Sequence, residues 1–181
     1  NEKSSEREFP YHVYGKICHK DMDVIKSELV SYLKEKLQES SRSDMNSILT
    51  WVNSLGNLGT EETTEVLLKV VEGKYTKNAN PRTMAIYLMI RPAQENPALY
   101  RPIFSSIVEN TAESPEVRMA AITALTYCKP SSADLQRLAL RTWYEPSRQV
   151  ASYIYSTLKT LKNLPAAIPE YETLKQKAEI I

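Results

Sequence analysis

The feature that most constrains this chain is a run of three apolar stripes between Ser114 and Leu161. Val117, Ala121, Ala124, Leu125 and Cys128 recur at helical spacing, as do Leu135, Leu138, Ala139 and Thr142, and then Val150, Ile154, Leu158 and Leu161. Each stripe marks a helix that cannot bury its apolar face alone, so the helices must stack. Two of them open alike, at Ser114-Pro115 and at Glu145-Pro146, each followed by an Arg and a Val. Proline suits the first helical position, where its missing N–H has no partner to lose.

The remaining chain repeats this grammar. A helix is expected over Met22–Gln38, with Ile25, Leu29, Leu33 and Leu37 inward. Another starts near Asp44, turns Ile48, Leu49, Val52 and Leu55 inward beside Trp51, and stops at Gly56-Asn57-Leu58-Gly59. Thr60 then caps a helix through Val71, with Glu61 and Glu62 in its first turn and Gly73 past its end. Pro81 opens the next, limited by Pro92. Asn96-Pro97 opens another, in which Pro102 is expected to kink the helix or trim its first turn. A last, weakly apolar helix spans about Glu170–Ala178. A short extended piece is placed at Phe9–Tyr14. Alternate helices start near Asp44, Pro81, Pro115 and Pro146, a step of roughly 30–40 residues. That step is the mark of α-hairpin arrays. The tetratricopeptide pattern of fixed Trp, Gly and Tyr is missing, so the reading is an all-α, HEAT-like solenoid of about nine helices. Residues 1–20 read as a linker or lead-in, 21–164 as the array, and 165–181 as a terminal helix.

Charge limits the function classes. The chain carries 23 basic and 22 acidic residues, without the basic excess that nucleic acid demands. No run of 18 apolar residues occurs, and no secretory leader is visible. The polar opening NEKSSERE suggests a piece of a longer protein. Cys18 and Cys128 are two to three repeats apart, too far for a bridge in a stacked array, so both are expected free and at least partly buried.

Catalytic signatures are missing: there is no GxGxxG, GxxxxGK[ST], HExxH, CxxC or GxSxG. His12, Cys18, His19, Asp21 and Asp23 form the one local cluster of metal-ligand types, but their spacing matches no zinc pattern, and a plain surface segment is the better reading. Cys18 and His19 fail as nucleophile and base because adjacent side chains rarely face one another. No catalytic, metal or cofactor residue is assigned, and no enzyme is expected. Tyrosine is abundant, 11 against two phenylalanines, and Tyr144, Tyr153 and Tyr155 are expected to close gaps between helices.

Three features carry a resemblance. Leu55-Gly56-Asn57 sits at a helix end, Glu116-Val117-Arg118 leads an alanine-rich helix ending before Pro130-Ser131, and Glu145-Pro146-Ser147-Arg148-Gln149-Val150 leads a leucine-bearing one. In this order, over about residues 44–161, they resemble the helical domain of vitellogenins, of the arthropod kind. Vitellogenins belong to the large lipid transfer protein family, with apolipophorin, apolipoprotein B and the microsomal triglyceride transfer protein. The resemblance implies a right-handed superhelix of antiparallel helices in two layers, arched around the β-sheets that form a lipid cavity. It implies secretion, into haemolymph or yolk, and a yolk-precursor role. The implied partners are phospholipid and triglyceride through the parent protein, neighbouring β-sheet domains of the same chain, and a membrane surface or oocyte receptor. Members of the family often carry two nearby, bridged cysteines before the position of Leu55, where this chain has only Cys18. The alternative left open is a cytosolic HEAT-like scaffold that binds protein partners.

Overall fold

The computed structural model describes residues 19–40, 45–165 and 169–179. The expected extended piece at Phe9–Tyr14 lies outside them. Ten helical segments are described: α1 His19–Ser40, α2 Met45–Leu58, α3 Glu61–Val71, α4 Ala79–Leu88, α5 Ile90–Glu95, α6 Pro97–Glu109, α7 Pro115–Tyr127, α8 Ser132–Arg141, α9 Arg148–Lys162 and α10 Pro169–Glu179. No strand occurs among the described residues.

Local chemistry sets most boundaries. Thr60 and Ser131 build capping boxes at the starts of α3 and α8 with Thr63 and Asp134. Ser114 accepts the Val117 N–H at the head of α7, where Pro115 takes the first position as expected. Gly59 and Gly73 adopt φ of +63° and +74°, the left-handed conformations needed after α2 and α3.

Three proline expectations change. α4 is capped by Asn78 and opens two residues before Pro81. Pro92 does not end the helical course. The chain breaks at Met89 and restarts as α5, with Pro92 at its third position, where no intrahelical N–H bond is due. Pro146 does not open α9 either. Ser147 is the cap, its hydroxyl accepting the Val150 N–H, so Pro146 precedes the helix. α6 runs through Pro102 without stopping.

The helices sort into two layers. α2, α4, α7 and α9 pack successively against one another. α1, α3, α6, α8 and α10 form the second layer, where α1 touches α3 and α8 touches α10. The second layer is held more by side chains than by close packing: the Thr64 and Tyr100 hydroxyls are 2.9 Å apart between α3 and α6, and Arg101 lies 3.6 Å from Asp134 between α6 and α8. α7 is central. It packs on α4, α5, α6 and α9, and Val117, Ala120, Ala121, Ile122, Ala124 and Leu125 are all buried, apolar around most of its circumference. The inward stripe of α9, Val150, Ile154, Leu158 and Leu161, is buried as its spacing requires.

Two ion pairs, one buried and one largely buried, tie the repeats together. Arg82, the fourth residue of α4, donates from Nε to the Val71 carbonyl at the end of α3 (2.7 Å) and from Nη2 to both Glu113 oxygens (2.6 and 2.7 Å). Arg118, the fourth residue of α7, repeats the arrangement. Its Nε and Nη2 donate to the Val108 carbonyl near the end of α6 (2.9 and 2.7 Å), and its Nη1 and Nη2 donate to Glu145 (2.7 and 2.6 Å). Each glutamate also accepts the N–H of the cap that starts the next helix, Glu113 from Ser114 and Glu145 from Ser147. One arginine therefore joins the end of one helix, the start of a second and the start of a third. Arg141 adds a further bond to Glu145 (2.7 Å) and donates to the Glu109 carbonyl (3.2 Å). The parallel read between Arg118 and Arg148 does not hold: Arg118 is buried and Arg148 is exposed.

Candidate interaction surface

The layers differ in charge. α2 contains no side chain charged at neutral pH, and α4 only Arg82, which is consumed by its ion pair. α7 has Glu116 and the buried Arg118, and α9 has Arg148, Lys159 and Lys162 near its ends. The outward positions of this layer carry Thr50, Asn53, Met84, Tyr87, Met119 and Thr123 instead. In the second layer α1 and α3 are densely charged: Glu28 and Glu35 on α1 and Glu61, Glu62 and Glu65 on α3 are exposed. Exposed carboxylates and ammonium groups stay hydrated at little cost, whereas a face that must lose its water is better built from groups without charge.

The uncharged face has internal order. The hydroxyls of Thr123 and Tyr153 hydrogen-bond between α7 and α9. Tyr87 is half exposed, and partial burial pushes its hydroxyl above the ordinary tyrosine range, so it stays a neutral donor and acceptor. Tyr153 thus closes a gap between helices as expected. Tyr144 and Tyr155 do not: both are 65% exposed. Tyr144 stacks on the Arg141 guanidinium, 5.7 Å from ring centre to cation, and with Leu140 and Trp143 forms an exposed knob at the turn after α8. A shallow cleft beside it is lined by Ser105, Glu109, Asp134, Arg137 and Tyr144.

Buried chemistry is structural in character. Burial would raise the Glu145 carboxyl, but bonds from Arg118, the Ser147 N–H and Arg141 outweigh it and hold the group down at about 2. Cys128 is buried and free, and burial lifts its thiol to about 11, leaving it protonated and unreactive near neutral pH. His12 and Cys18 lie outside the described residues. His19, Asp21 and Asp23 are in the first turn of α1, their side chains outside the description. Among the described residues no three His, Cys, Asp or Glu side chains are grouped to hold a metal ion, and no helix is long and apolar enough to cross a membrane.

Comparison with known proteins gives a consistent answer. A family described as "Vitellogenin TPR domain" matches residues 3–159. The vitellogenin of Anthonomus grandis is 30% identical over 162 residues, covering 88% of this chain and 9% of that protein. The hemolymph clottable protein of Penaeus monodon is 30% identical over 152 residues, covering 83% of this chain and 9% of its own length. A solved structure described as "Lipid-protein interactions in lipovitellin" superposes with a TM-score of 0.73 at 26% identity, over 85% of this chain and 16% of that one. The chain thus spans about a tenth of the length of the relatives it matches.

Proposed function

This chain belongs to the vitellogenin TPR domain family, and from that premise we propose that it is the helical shell of a secreted lipid-transport and yolk-precursor protein. The layer of α2, α4, α7 and α9 docks on the β-sheet domains of the same polypeptide, and the parent protein holds phospholipid and triglyceride within. The shell works by shape, with no bond made or broken. The layer of α2, α4, α7 and α9 packs more closely than its partner layer, so the stack bends toward it and makes it the concave side of the arch. The charged layer then faces water, over a shell spanning about residues 21–164.

The observation that carries this reading is that α2 carries no charged side chain and α4 only the paired Arg82, while the charges of α7 and α9 lie toward their ends. A face exposed to solvent throughout has no physical reason to exclude lysine and glutamate, while a face desolvated against a sheet has one. The lipovitellin likeness supports the lipid context, and the relative named for hemolymph supports secretion.

A photo-activatable phenylalanine at Asn53 or Tyr87, in the secreted, lipid-loaded parent protein, tests the docking. Cross-links from these two positions are expected within the β-sheet domains of the same chain. The same probe at Glu65 should give none of them. Cross-links from Asn53 and Tyr87 only to other polypeptides would turn the reading toward a protein scaffold.

A further inference from the structure

The fourth residue of each helix in the closely packed layer is Ile48 in α2, Arg82 in α4, Arg118 in α7 and Ala151 in α9. Only the two middle positions carry the guanidinium that clasps a carbonyl of the preceding helix and the glutamate before the following one. The side chains of Arg118 and Glu145 are 1% and 0% exposed, and those of Arg82 and Glu113 are 9% and 17% exposed. We propose that these two rungs lock α3 through α9 into one stiff arc, and that the arch changes its curvature at the unrunged joint between α2 and α4.

The geometry separates the joints. A bidentate guanidinium–carboxylate pair has a narrow angular optimum, and each arginine is also fixed by a backbone carbonyl on a third element. Rotating α7 against α4, or α9 against α7, would break several charge-assisted bonds, fully buried at Glu145 and largely buried at Glu113. Among the described residues no arginine–carboxylate rung spans the α2–α4 joint, and Gly56 there faces the Leu88 side chain: a Cβ built on Gly56 would lie 2.6 Å from Leu88 Cδ2. Apolar contacts are non-directional, so a shift of these two helices breaks no guanidinium–carboxylate pair among the described residues. The α7–α9 joint holds the stronger rung, since Arg141 shares Glu145 and ties it to the end of α6. The inference concerns the fold and stands whether or not the shell reading holds.

Double electron–electron resonance on the 181-residue chain tests it, with Cys18→Ser and labels on introduced cysteines; the buried Cys128 stays unlabelled. The pair Tyr87→Cys/Ser152→Cys crosses two runged joints. The pair Asn53→Cys/Tyr127→Cys crosses the unrunged joint and one runged joint. The second pair is expected to show a distance distribution about twice as wide as the first. Arg118→Lys keeps the charge but loses the fork. It should widen the first pair to the breadth of the second and leave the second unchanged. Equal widths in the unsubstituted background would overturn the proposal. So would a first pair that stays narrow in a helical Arg118→Lys protein. Should Arg118→Lys unfold, the comparison of the two pairs in the unsubstituted background decides alone.

Discussion

At the residue scale the protein turns on Glu145. Its carboxylate neutralises Arg118 and Arg141 and accepts the N–H that starts α9. Truncating one member of a buried ion pair leaves the other charge without compensation. Glu145→Gln is therefore expected to destabilise the fold by about 3–5 kcal/mol in urea denaturation. The sign of the pH effect follows from the depressed carboxyl. A group whose folded pKa lies near 2, below its ordinary 4.5, stabilises the fold above the ordinary value and loses that contribution as pH falls from 4.5 toward 2. The unsubstituted chain should lose stability across this window. Glu145→Gln should show a shallower slope there, and an identical slope would mean that other carboxylates dominate acid unfolding. Nothing in the residue types around this glutamate, in LRTWYEPSR, marks it off from the exposed Glu28 or Glu65; its importance comes from arginines 27 and 4 positions away.

At the scale of elements, legibility followed locality. The cap of α3 at Thr60, the proline at the head of α7 and the inward stripes of α7, α8 and α9 were all readable, because a helix end or an apolar face is decided within a few residues. Pro146 misled for a physical reason. Proline is compatible with the first helical position, but Ser147 offers a hydroxyl for the Val150 N–H and Glu145 binds the Ser147 N–H, so the helix starts later. Pro92 misled because a proline can stop one helix and sit in the opening turn of the next. The α2–α4 joint yields a prediction of its own. Gly56→Ala gains up to about 1 kcal/mol of helix propensity. The added methyl meets Leu88 Cδ2, Cδ1 and Cγ at 2.6, 2.7 and 2.8 Å, and overpacking of that kind costs about 1–3 kcal/mol. A net loss of about 1 kcal/mol is expected in thermal or urea unfolding. A gain would show that Leu88, which is only half-buried, swings clear.

For the whole molecule, the relevant property is how firmness is distributed. α7 lies at the centre of the contacts and carries the second rung. α10 touches only the last elements of the array, though it buries Ala178 fully. Amide exchange should be slowest in α4, α7 and α9 and fastest in α1 and α10, as cooperative units open from the ends of a stacked array. Uniform protection along the chain would count against a one-dimensional stack. The exposed knob of Leu140, Trp143 and Tyr144 belongs to this scale too. The tyrosine content alone suggested filler between helices, yet only Tyr153 of the three tyrosines named for that role is so used.

Periodicity and near neighbours were enough for an all-α array, its helices, the Thr60 cap, the proline at the head of α7, and the order of motifs that resembles the vitellogenin helical domain. Those depend on interactions a few residues long. Only the packed fold fixes which helices share a layer, that the charge-poor α2 and α4 stand side by side in one of them, and that Arg82 and Arg118 are buried while Arg148 is not. An arginine's cost of burial is offset only by a carboxylate and a carbonyl brought to it by the fold, here from 31 and 11 positions away for Arg82. No local pattern encodes that meeting.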